Sequence, residues 1–88
     1  MHENATARLA AETDAPLDRG VWDLDVRTLG PPKPLRETLE TLPDLSGQVL
    51  VQHNDRVPQH LYPKLDDRGY EYRTVETDDG VVTAIWRP

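Results

Sequence analysis

No cysteine occurs anywhere in the 88-residue chain. That absence excludes persulfide chemistry, thiolate catalysis, zinc ribbons and iron–sulfur ligation by this chain alone. It also removes the usual mark of a disulfide-stapled secreted scaffold. Long apolar runs are missing as well, and none approaches the ~20 residues of a transmembrane helix. Residues 1–20 hold neither a basic n-region nor an apolar h-region, so they do not read as a signal peptide. A cytoplasmic protein without a membrane partner is the simplest expectation. Serine is nearly absent too: Ser46 stands alone, in a turn with no neighbouring histidine, and supports no nucleophilic catalysis.

Positive charge is scarce. Sixteen aspartates and glutamates against 10 lysines and arginines leave a net charge of −6. Duplex nucleic acid demands a basic stripe to neutralise its phosphates, and none is visible, so no nucleic-acid partner is expected. Only Lys33 and Lys64 are lysines, and aspartate exceeds glutamate. This balance resembles that of proteins from salt-loving archaea. In molar salt the screening length falls to about 3 Å, so acidic self-repulsion is largely removed. The acidic surface then describes a solvent rather than a ligand.

A chain of this length makes one small domain. Residues 1–20, polar, alanine-rich and acidic, read as a mobile tail, which leaves 21–88 as the folded unit. Val21 to Val26 alternates, with Trp22, Leu24 and Val26 on one side and Asp23 and Asp25 on the other, the pattern of a half-buried strand. Gly30-Pro31-Pro32 ends it. Pro34 then suits the first turn of a helix whose stripe is Leu35, Leu39 and Leu42. Gln48 to Gln52 is a short apolar run, as an interior strand would be. Asp55 is placed to cap a second helix, with Pro58 in its first turn; Pro63 then predicts either a kink or a helix that starts near Tyr62. Gly69 stops this helix. Two β-rich runs follow, joined by Thr77-Asp78-Asp79-Gly80, a hairpin signal.

The order is therefore β-α-β-α-β-β: an α/β two-layer sandwich in which two helices cover one face of a mixed four-stranded sheet. The first two strands should be parallel and the last two antiparallel. Two helices leave the other sheet face bare, although Val82, Ala84 and Trp86 alternate onto a face of their own. Apolar surface is then free for a partner, and a homodimer stays open.

From Trp22 to Arg87 the layout resembles the TusA/SirA-like superfamily, sulfur carriers whose "LDxRGL" strand runs into Cys-Pro-x-Pro at a helix start. Here the strand reads Leu24-Asp25-Val26-Arg27-Thr28-Leu29, followed by Gly30-Pro31-Pro32-Lys33-Pro34. Pro32 and Pro34 match the two prolines, and Pro31 stands where the resemblance puts the cysteine. A closer resemblance is to a cysteine-less branch, a domain of unknown function that reads "LDVR-x-L-x-PP-x-PL" and later "PLxxxL-x-x-x-G". The second stretch is matched by Gln59 to Gly69, with His60 where that branch often has proline. The branch sometimes accompanies hemerythrin-like and other redox or metal-handling domains, which implies a sulfur-, redox- or metal-related pathway.

Three prolines in the junction lack N–H groups, so only Lys33 and Leu35 can donate there, and even an anion nest is depleted. A rigid knob of this kind still suits docking, because little entropy is lost on binding. The expectation is a non-enzymatic adaptor that meets a protein partner through Arg27, Gly30, Pro31, Pro32, Lys33 and Pro34, near His53 to His60. The alternative is a metal-binding or redox-accessory domain in which His53, Asp55 and His60 converge on an ion at the carboxyl edge of the parallel strands. Arg27 is expected to pair with Asp23 or Asp25, or across the sheet with Glu71 or Glu76.

Overall fold

In a computed structural model, residues 5–88 are described. The chain runs α1 (Ala5–Glu12), β1 (Val21–Asp25), α2 (Lys33–Thr41), β2 (Val49–Asn54), α3 (Leu61–Asp67), β3 (Glu71–Thr77) and β4 (Gly80–Trp86), with 3-10 turns at Leu17–Arg19 and Leu42–Asp44. The sheet order is β1-β2-β4-β3. β1 lies parallel to β2, with Val21 opposite Val49 and Asp25 opposite His53. β4 is antiparallel to both β2 and β3. The four-stranded mixed sheet and its strand directions are those the sequence predicts.

Residue parity decides which face each side chain takes. Leu50, Ile85, Tyr70, Leu42, Leu61 and Leu65 form one buried cluster, joined by Leu24, Leu35 and Leu39, so α2 and α3 share this face. The leucine stripe of α2 is thus the one the sequence predicts. Val49, Val51, Val75, Val82, Ala84 and Trp86 form a second cluster on the opposite face, and Leu9 of α1 joins it with no exposed surface.

That second cluster corrects two expectations. Residues 5–19 are not a mobile tail: Ala5, Ala15 and Leu17 pack beside Leu9 against the sheet, and Arg73 holds Asp14 at 2.9 Å. Met1 to Asn4 of the expected tail lie outside the described residues. The sheet face expected to be bare is covered by α1. The alanine-rich stretch is too short to hold a helix alone. Burying Leu9 among valines, alanine and tryptophan supplies what its local propensity cannot. Trp22, expected on the buried side of β1, is 49% exposed, because β1 is an edge strand and the helix face ends beside it.

α3 begins at Leu61, and His60 occupies its cap position. Asp55 therefore does not cap it. Pro63 falls in the first turn, where the backbone N–H has no helical partner to lose. At the other end Gly69 takes φ +77°, the Tyr70 N–H donates to the Leu65 carbonyl at 3.0 Å, and the Gly69 N–H donates to that of Asp66 at 3.2 Å. This is a Schellman stop, closed by Tyr70 and Leu65 in the same apolar cluster.

Candidate functional site

At the carboxyl end of the parallel pair β1 and β2, two segments leave the sheet and diverge. The β1–α2 junction supplies Leu29, Pro31, Pro32, Pro34 and Leu35, and the β2–α3 loop supplies residues 55–61. Between them lies a groove of about 750 Å³, with Gln52 and Asn54 of β2 as its floor. The edge outside the carboxyl ends of parallel strands is the common ligand location in open α/β sheets. The volume falls within the range of small-ligand pockets.

The walls follow from local sequence. Pro31-Pro32 is a cis peptide, and Pro34 sits in the first turn of α2. The Lys33 N–H, one of the two donors the junction retains, is bonded to the Gly30 carbonyl at 3.0 Å. The helix start is thus closed to an anion more completely than the prolines alone imply. On the other wall Val57 is 39% exposed, and Asp55 and Arg56 pair with each other at 3.1 Å. That pairing lowers the Asp55 carboxyl through the hydrogen bond from Arg56.

The floor carries a directed chain of hydrogen bonds. The Asp55 N–H donates to Asn54 Oδ1 at 2.8 Å, which fixes the orientation of that carboxamide. Asn54 Nδ2 donates to Gln52 Oε1 at 3.2 Å, and Gln52 Nε2 donates to Thr38 Oγ1 at 2.8 Å. The Thr38 hydroxyl then donates to the Pro34 carbonyl at 2.8 Å. Thr38, Gln52 and Asn54 are all buried. The chain ties one wall of the groove to the other through the sheet. Beside it Thr83 meets Thr74 at 2.9 Å, and Thr74 meets the Tyr62 hydroxyl at 2.5 Å, so the polar row crosses the sheet to α3.

Not every residue singled out in the sequence reaches this groove. Pro31, Pro32 and Pro34 line it, together with Asp55 and His60. Gly30 and Lys33 belong to the junction without lining the groove. Arg27 lies elsewhere, bonding Asp25 Oδ2 at 2.7 Å and Asp79 Oδ2 at 3.3 Å, so its cross-sheet partner is the β3–β4 turn and neither Glu71 nor Glu76. The Arg27 hydrogen bonds hold the Asp25 carboxyl down at about 2. His53 turns to the α1 face, by strand parity, and its Nε2 meets Asp23 Oδ1 at 2.9 Å. The metal alternative therefore loses its geometry: His53 lies across the sheet from Asp55 and His60. Among the described residues no three histidine, aspartate or glutamate side chains are grouped to hold an ion. The sequence reading missed Gln52, Asn54 and Thr38. A polar residue closing an apolar interior run, as Gln52 does, was the available signal.

A family model described as an uncharacterized conserved protein, DUF2249, matches residues 23–87. No curated protein matches the chain. Among solved structures, the SirA-like protein of Desulfitobacterium hafniense is 22% identical, covering 76% of this chain and 95% of its own, with a TM-score of 0.64. The likeness is one of fold. α1 precedes the segment that the family model matches.

Proposed function

We infer that this chain, which belongs to the DUF2249 family of uncharacterized conserved proteins, is a non-catalytic binding module that receives a protein partner in the groove between the Pro31–Leu35 junction and the β2–α3 loop. One observation carries the reading: two largely apolar walls, each bearing proline, face each other across a floor of buried polar side chains that ties them together. A groove held in shape this way loses little entropy when occupied. The chemistry agrees with binding. The junction that opens α2 has proline at position 31, with no thiol in the chain and no free backbone donor at Lys33.

The test is site-specific photocrosslinking in the native host. A benzophenone side chain is placed at Val57, in the groove, and separately at Glu37, on the exposed side of α2. A discrete adduct from position 57 alone, lost when Pro31 to Pro34 is scrambled, supports the reading. Equal labelling from both positions, or no adduct at 57, ends it.

A further inference from the structure

The groove floor is a donor without an acceptor to receive it. Asn54 is 5% exposed and lines the groove. Its Oδ1 is engaged by the backbone N–H groups of the β2–α3 loop, and one Nδ2 hydrogen goes to Gln52. A carboxamide carries two N–H donors. The second on Asn54 has no partner among the described residues; the second Nε2 hydrogen of Gln52 has none either, but Gln52 has no exposed surface, so Asn54 is the one within a ligand's reach. Gln52, behind it with no exposed surface, fixes the carboxamide plane through the relay to Thr38. A buried donor left unpaired is unfavourable, and an acceptor brought to it gains accordingly.

Resting on the binding role above, we propose that the groove reads an extended, non-helical peptide segment whose backbone carbonyl accepts from Asn54 Nδ2, with Gln52 as the positioning residue. Two considerations select this occupant. The free group is a donor, so the ligand offers an acceptor. Helical carbonyls are spent on the helix itself, whereas an extended or polyproline segment leaves its carbonyls unsatisfied. Apolar side chains of the segment, proline or aliphatic, then rest against Leu35, Pro58 and Val57.

The experiment selects binders from a displayed library of short random peptides. The winning peptide is then titrated into the isotope-labelled protein, with side-chain amide and methyl resonances followed. The expected result is a proline- or aliphatic-containing peptide that shifts the Asn54 side-chain amide signals together with the Leu35 and Val57 methyls. Asn54→Asp keeps the two loop contacts but removes the donor, and should weaken binding on the order of tenfold. If the methyls shift while the Asn54 amide stays put, or if Asn54→Asp binds like the parent, the carbonyl readout is wrong and the groove reading survives. Selection of helix-forming peptides also overturns the proposed occupant. If selected peptides perturb another face, or none binds, the binding role of the groove falls as well. The amide shifts are read on the parent protein, so the test stands even where the variant folds poorly.

Discussion

Single residues in this chain do work that their neighbours cannot take over. Gly80 opens β4 with φ +153°, and a Cβ there would stand 2.4 Å from the Asn54 carbonyl oxygen. Both the conformation and the contact exclude a side chain, so Gly80→Ala should cost about 2 kcal/mol or more, read as a lower urea midpoint. Because the clash falls on Asn54, the same change should disturb the groove floor. Asp25 acts through charge. Its carboxyl titrates at about 2, below the ordinary carboxylate range, first because Arg27 bonds the ionised form. A lowered folded value means that the pair stabilises at pH above the unfolded value of about 3.9 and that this contribution is lost as pH falls toward 2. The Asp25 side chain is 52% exposed, so the effect is small, under about 1 kcal/mol. Asp25→Asn should therefore flatten the acid limb of a stability–pH curve and leave neutral stability changed by no more than that.

Elements were legible to very different degrees. The four strands, their directions and the stripe of α2 follow from alternation, spacing and the Asp-Gly turn, because those signals are local. The start of α3 was readable only through Pro63: one of the two readings it allowed, a start near Tyr62, is the one found. Pro63→Ala should accordingly change stability by less than about 0.5 kcal/mol, since no helical hydrogen bond is at stake. That α1 packs on the sheet was not readable. Its alanines and charges carry no strong period, and its reason for existing, the valine-rich face of β2 and β4, lies some forty residues or more away in the chain. Leu9→Ala should cost about 2 to 3 kcal/mol by emptying that contact, and hydrogen exchange should rise first in α1. For the site, the proline wall was visible as a junction. The amide floor was not, because Gln52 and Asn54 gain meaning only when strand parity turns them toward α2 and α3. His53, one position between them, is turned to the other face by the same rule and leaves the metal grouping empty.

At the scale of the whole molecule, the charge balance sets the conditions under which everything else operates. Sixteen acidic groups on so small a body repel one another, and added salt screens that repulsion. The melting temperature should rise with sodium chloride from low to molar concentration. A flat or falling curve would mean that ion pairs such as Arg27–Asp25 and Arg73–Asp14 outweigh the net field. The three layers also carry a lesson about boundaries. The family model's match begins at residue 23, yet the sheet is sealed by a helix that begins at residue 5. A chain trimmed to the matched segment would keep its groove and become an amphiphile, with Val49, Val51, Val82, Ala84 and Trp86 laid open on its back. Such a piece would be driven to pair, precipitate or borrow a substitute helix. The stretch that the family model matches is thus smaller than the unit that water will tolerate.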